Sequence, residues 1–183
     1  MSFSYGLAVF FLVQSFMYAW NGLTLDAAIL RRMKNLLATF VGAVLYFTIV
    51  YHMTNLYFAK QWDFERFILL DGGVFTTLFW VGQIGIGTLI PLALLLHPTL
   101  GMNSKSVLWA ALLIILGGFA QLYVIIIGGQ AFPLDLFPGM QETSTFFDGA
   151  IHQYNPSLPE FLLGLGGIGI ALLITTIAVR VLN

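Results

Sequence analysis

Five long apolar stretches, separated by shorter polar connections, constrain the fold of this chain more than any other feature of its sequence. A hydrocarbon core about 30 Å thick is crossed by roughly 20 residues of helix, and each stretch has that length. Only helices and closed barrels satisfy the backbone in lipid, and these uniform runs lack the alternation of a barrel strand. We therefore expect an all-α membrane bundle of five helices, at residues 2–20, 35–58, 74–96, 107–128 and 161–182.

The composition supports a single transmembrane helical domain over residues 1–183 and excludes several functions. Only 8% of the residues are charged, whereas soluble domains carry about 25%. The chain has no cysteine, so it offers no thiolate to zinc or to an iron–sulfur cluster. A net charge of −1 gives no basis for binding nucleic acid.

The basic residues predict the orientation of the bundle. Five of the seven fall in the first and third connections and at the C-terminal end: Arg31, Arg32, Lys34, Lys105 and Arg180. The other two, Lys60 and Arg66, lie in the second connection, where Asp63, Glu65 and Asp71 outnumber them. The second and fourth connections are acidic, so the positive-inside rule predicts an outside N-terminus, a cytoplasmic C-terminus and an extracytoplasmic loop at residues 129–157. Because an outside start and an odd helix count are unusual, we expect further helices to precede Met1 or to come from another subunit.

Helices three and four each carry one glutamine among apolar residues. Unpaired amides are costly in lipid, so Gln83 and Gln121 indicate either a hydrated polar track or hydrogen bonds between helices. Gly117 on helix four is typical of close helix packing. Pro91 is expected to kink helix three or to free a backbone carbonyl near Gly87.

The positions of the three histidines argue against a haem site. Two axial ligands must lie at one depth on facing helices. His52 lies in the outer half of helix two, about 20 Å in depth from His97 at the cytoplasmic end of helix three, and His152 lies in the outer loop. We therefore expect no haem. An ionisable residue inside a span is a functional candidate, so His52 is expected either to relay a proton or bind a carbonyl, or to be capped by a neighbouring helix.

The polar residues near the helix ends have both structural and functional interpretations. Asp71 precedes helix three and is expected to be its N-cap, with a role in the membrane as the alternative. Ser157 and Glu160 fit a capping box at the start of helix five, although Glu160 is also a candidate proton carrier. The loop before them is rich in proline and phenylalanine, which favours a segment that folds over the helix ends and can also dock a partner.

Several short motifs resemble one known family. The sequences GGQAFPL at residues 128–134 and HQYNPS at residues 152–157, followed by Glu160 and Gly164, resemble the C-terminal end of NrfD/polysulfide-reductase membrane subunits. The segment from residues 56–57 through DGG at residues 71–73 to HP at residues 97–98 is similar to the same family. The resemblance implies that this chain corresponds to the second four-helix bundle and the last helix of a longer member.

The resemblance also implies a function. Members of this family are haem-free, quinone-reactive anchors that work with an iron–sulfur subunit and a molybdopterin or hydrogenase-type subunit in a bacterial or archaeal cytoplasmic membrane. This chain departs from the family by lacking the first bundle, which holds much of the family's quinone site.

We therefore predict a haem-free anchor, or half of one, that links menaquinone or ubiquinone to partner iron–sulfur subunits, provides a proton path and is not catalytic alone. The candidate residues for quinone binding or proton transfer are His52, Asp71, Gln83, Gln121, His152 and Tyr154. A transporter or channel subunit that uses the same polar residues is one alternative. A purely structural anchor is the other.

Overall fold

A computed structural model describes residues 2–133, 150–151 and 154–182. Within these residues the chain is helical and contains no strand, and five helices are long and apolar enough to cross a membrane. The five long helices are α1 (Ser2–Trp20), α2 (Ala27–Tyr57), α4 (Val74–Leu96), α5 (Ser104–Ala131) and α6 (Leu158–Leu182). Between α2 and α4 lies a short helix, α3 (Trp62–Arg66), which is continued by a π-helical turn, Phe67–Asp71. The predicted five-helix membrane fold is confirmed.

The chain divides into two compact units, Met1–Ala150 and Ile151–Asn183. The first unit holds α1 to α5 and the second holds α6. The orientation of the helices in the membrane stays a prediction, as does the assignment of the whole chain to one domain.

The helix α2 begins at Ala27, well before the predicted start at residue 35. Asp26 takes the N-cap position, where its side chain accepts a hydrogen bond from the backbone nitrogen of Ala28 at 3.4 Å. The segment that follows is rich in strong helix formers, so helix extends through Arg31 and Arg32. The helix therefore includes these arginines, and the start of its membrane-spanning part stays a prediction.

The main core of the first unit lies between α1, α2, α4 and α5. Small residues alternate with large ones across these helices, which allows close packing without lipid between them. The buried residues are Ala8, Phe11, Leu30, Leu37, Ala38, Val41, Leu95, Val107, Ala110, Ala111 and Ile114.

Two glycines set the crossing of α4 and α5. A Cβ built on Gly87 would lie 2.6 Å from the Cα of Gly117, and a Cβ on Gly117 would clash with Gly87 in turn. Backbones approach this closely only where neither residue carries a side chain. The packing role predicted for Gly117 is therefore confirmed.

The middle of α4 is wound as a π-helix over Leu78–Leu89. The backbone nitrogen of Ile90 donates to the carbonyl of Gly85, and the next residue, Pro91, has no N–H to donate. The hydroxyl of Thr88 donates to the carbonyl of Gln83 at 2.9 Å. The irregularity expected around Pro91 thus takes the form of widened turns, which are frequent at functional sites.

The helix α3 supplies a second, smaller core at one end of the unit. Phe67 and Ile68 are buried against Phe75 and Phe79 of α4 and against Val124 of α5. This packing buries part of a segment that was predicted to be a polar connection. It also brings α3 beside the last turns of α2.

Candidate functional site

A buried carboxylate on α3 is the central polar group of the first unit. Glu65 is 0% exposed. Its Oε2 lies 2.6 Å from Nδ1 of His52, and its Oε1 accepts a hydrogen bond from the side-chain amide of Asn55 at 2.7 Å. Both oxygens therefore have a partner, which is what a carboxylate away from water requires.

Local sequence explains why these three residues meet. His52 and Asn55 are three residues apart on α2 and so share one helix face. The chain then turns through a short 3₁₀ segment, Ala59–Gln61, and returns as α3. Because Phe67 and Ile68 are buried on one side of α3, Glu65 is held against the face of α2 that carries His52 and Asn55.

A cavity of about 530 Å³ opens beside His52. Ligand pockets commonly measure roughly 300–1,000 Å³, with apolar walls and a few polar groups. Its lining comes from four helices and comprises Phe47, Thr48, Val50, Tyr51, His52, Phe64, Ile68, Phe79, Gln83, Gln121, Val124 and Ile125. Four of the lining residues are Phe or Tyr. The lining also includes three of the six sequence-predicted candidates: His52, Gln83 and Gln121.

The ring of His52 is fixed by aromatic neighbours as well as by Glu65. Its centroid lies 4.7 Å from that of Phe79, at an interplanar angle of 72°, and 5.2 Å from that of Tyr51, at 83°. Such edge-to-face contacts restrict rotation of the ring. With Nδ1 bonded to Glu65, Nε2 is the imidazole nitrogen that has no hydrogen bond among the described residues.

The two glutamines lie where α4 and α5 approach the cavity. Gln83 is 5% exposed and Gln121 is 2% exposed. The hydroxyl of Tyr5 on α1 donates to Oε1 of Gln121, and the ring of Tyr5 rests on Gly118, where a Cβ would lie 2.6 Å from a ring carbon. The interhelical hydrogen bond expected of Gln121 is therefore present, and Gln121 also reaches the cavity.

Asp71 does not join this site. Arg66 Nε donates to Asp71 Oδ2 at 2.8 Å, and both side chains are more than half exposed. The expected N-cap role was wrong, because the π-helical turn carries α3 through Asp71 and the N-cap position of α4 passes to Gly73, at φ 57°. The hydroxyl of Thr76 takes over part of the capping by accepting from the backbone nitrogen of Gly72 at 3.0 Å.

The second unit contains its own polar cluster at the start of α6. Glu160 Oε2 accepts hydrogen bonds from the hydroxyl of Tyr154 and from the backbone nitrogen of Ser157, both at 2.8 Å. This is the contact that Glu makes in a capping box. His152, the remaining candidate, lies outside the described residues.

The residues that sequence reasoning missed are Glu65, Asn55 and Tyr5. One signal pointed to Glu65: its neighbours Phe64, Phe67 and Ile68 are too apolar for an exposed connection.

His97 is exposed, and its Nδ1 accepts from backbone nitrogens in the turn after α4. Among the described residues, no group of three or more His, Cys, Asp or Glu side chains is placed to hold a metal ion.

Comparison with known proteins places the chain in a family. The family described as polysulphide reductase, NrfD, matches residues 1–134. The chain is 29% identical over 168 residues to the Hdr-like menaquinol oxidoreductase integral membrane subunit of Archaeoglobus fulgidus, covering 90% of this chain and 42% of that protein. It is 25% identical over 154 residues to one of the subunits of the selenate reductase of Mesobacillus selenatarsenatis, covering 84% of this chain and 35% of that protein.

The chain thus spans less than half the length of the curated relatives it matches. No solved structure matches significantly. Because the family match covers most of the sequence, including every residue of the cavity, the chain belongs to the NrfD family of polysulphide reductase membrane proteins.

Proposed function

We propose that this chain forms a quinone site of a membrane-bound redox complex, in which His52 bonds the quinone and Glu65 positions His52. The observation that carries the proposal is the cavity of about 530 Å³ lined by His52 and the two glutamines. The family membership supports it, as does the relative that is named as a menaquinol oxidoreductase subunit.

The cavity has the features that a quinone ring requires. Phe47, Tyr51, Phe64 and Phe79 supply flat apolar surfaces, against which an aromatic ring stacks favourably. The imidazole and the amides of Gln83 and Gln121 provide polar atoms at the cavity surface for the two ring oxygens. The volume suits the headgroup together with the first part of an isoprenoid tail.

The pair of His52 and Glu65 suits the proton chemistry of a quinone. Oxidation of a quinol releases two electrons and two protons, and reduction takes up the same number. With Glu65 accepting the Nδ1 hydrogen, Nε2 of neutral His52 accepts a hydrogen bond from a quinol hydroxyl. A proton that transfers to Nε2 leaves an imidazolium beside the Glu65 carboxylate, which stabilises it as the acidic member of a catalytic triad does.

The electrons are exchanged with iron–sulfur clusters of a partner subunit, since this chain has no cysteine to bind such a cluster. The complex also contains a molybdopterin or hydrogenase-type subunit and lies in the cytoplasmic membrane of a bacterium or an archaeon. A proton taken up by His52 leaves again from Nε2, which returns the imidazole to its neutral form and keeps Glu65 ionised. Further helices of the complex complete the site around the part of the cavity that this chain forms.

Quinone turnover by the purified complex tests the proposal. His52→Ala removes the proton acceptor and should lower turnover on the order of 100-fold. His52→Gln keeps a hydrogen-bonding group without a proton acceptor and should also be slow. His97→Ala is the matched control, because His97 is exposed and lies outside the cavity lining. Normal turnover in His52→Ala, in a complex that assembles normally, overturns the proposal.

A further inference from the structure

A second, much smaller space lies deeper in the first unit, between α1, α2, α4 and α5. Its volume is about 10 Å³, which is about what one buried water requires. It is lined by five polar side chains, those of Ser4, Tyr5, Gln83, Thr88 and Gln121, together with apolar residues and the packed glycines. Apolar cavities stay dry, but a polar space of this size, with several partners in reach, is suited to bind water.

The side-chain amide of Gln83 borders the small space. It is nearly buried, at 5% exposed, and within the part of the chain that the structure describes it forms no hydrogen bond to another side chain or to the backbone. Leaving such an amide unpaired costs about 1–3 kcal/mol. Gln83 lines both the small space and the large cavity, so one end of the amide is available to each.

Two hydroxyls on the walls of the small space already donate their hydrogens to other groups. Thr88 donates to the carbonyl of Gln83 at 2.9 Å, and Tyr5 donates to Oε1 of Gln121. A hydroxyl has one hydrogen and two lone pairs, so both oxygens present lone pairs as acceptors. These two acceptor oxygens complement the two O–H groups of a water molecule.

We propose that this space binds one internal water, which accepts a hydrogen bond from the amide nitrogen of Gln83 and donates to the oxygens of Thr88 and Tyr5. The water satisfies the amide of Gln83 and joins α1 to α4. It also fixes the orientation of Gln83, with the amide nitrogen towards the small space and Oε1 towards the large cavity. The site stands whether or not the large cavity binds a quinone.

The test is a structure of the purified, assembled complex at a resolution that shows ordered waters. We expect a density peak between Gln83, Thr88 and Tyr5, within hydrogen-bonding distance of all three side chains. A space that shows no peak in the unmodified complex overturns the proposal. That outcome does not depend on any variant folding correctly.

A pair of variants checks that the peak is a water held by these groups. Gln83→Leu replaces the donor with an apolar side chain of similar size, and the peak should disappear. Thr39→Val is the matched control, since Thr39 is an exposed residue on α2 whose hydroxyl bonds within its own helix, to Asn35, and the peak should remain. A peak that persists in Gln83→Leu contradicts the assignment of Gln83 as its donor.

Discussion

Glu65 Oε2 and His52 Nδ1 lie 2.6 Å apart although the two residues are thirteen positions apart in the chain. One continuous helix cannot join residues at that spacing, because they would lie about 20 Å apart along its axis. The contact exists because α3 turns back beside α2 after the 3₁₀ segment Ala59–Gln61. The orientation of the imidazole in the cavity therefore depends on the packing of α3.

Replacing Glu65 with Gln should impair the site while preserving its shape. Gln has the same size and can still bond Asn55, but it removes the carboxylate that favours the Nδ1–H tautomer and stabilises the protonated ring. We expect quinone turnover to fall on the order of 100-fold, comparable to the loss in His52→Ala. Steady-state turnover of the purified complex provides the measurement, with quinone concentration varied to separate kcat from KM.

Asp63→Asn is the control for this prediction. Asp63 lies on α3 with Glu65 but is exposed, so its charge is screened by solvent. Its substitution should leave turnover unchanged. If Glu65→Gln and Asp63→Asn behave alike, Glu65 has no specific role in positioning His52.

The combined substitution of His52 and Glu65 provides a further check. Residues that act as one unit give non-additive losses. We expect the double variant His52→Ala with Glu65→Gln to be about as slow as His52→Ala alone. Losses that multiply would instead show that the two residues act independently, and the double-variant cycle measures this difference directly.

Stability should depend strongly on the glycine at the crossing of α4 and α5. Gly117→Ala places a Cβ against the backbone of Gly87, so the helices must separate, at a cost of about 1–3 kcal/mol. Gly42→Ala is the matched control, since a Cβ at Gly42 on α2 meets no atom within 4 Å. Thermal unfolding of the assembled complex should show a lower Tm for Gly117→Ala only; equal Tm values for the two variants would contradict the crossing geometry.

Asp71→Asn should have little effect on turnover. Its partner Arg66 is as exposed as Asp71 itself, and exposed ion pairs contribute about 0–1 kcal/mol to stability. Turnover measured beside Glu65→Gln should remain near that of the unmodified complex. A large loss in Asp71→Asn would restore Asp71 to the candidates for proton transfer.

The membrane helices could be predicted from the sequence because the length of an apolar run is enough to identify each of them. The span at residues 74–96 matches α4 at both ends. His52, Gln83 and Gln121 could be found in the same way, since polar residues stand out in an apolar span. The helix α3 could not be found from length, because it is too short to cross a membrane and was grouped with the polar connection that holds it.

Glu65 was missed for the same reason. A carboxylate in a connection is expected to face water, and only tertiary packing of Phe67 and Ile68 shows that this one is buried.

Asp71 illustrates the opposite error. A cap position was inferred from its place before the next span, but the π-helical turn extended α3 by enough residues to pair it with Arg66 instead.

The central claim, that the cavity beside His52 binds quinone, is tested most directly by photolabelling the purified complex with an azidoquinone. Peptides modified by the probe are identified by mass spectrometry, with and without an excess of unmodified quinone. We predict labelling on α2 around Phe47–His52 or on the cavity-facing residues of α4 and α5, and loss of that labelling under competition. Labelling confined to other parts of the complex, with these peptides unmodified, would contradict it.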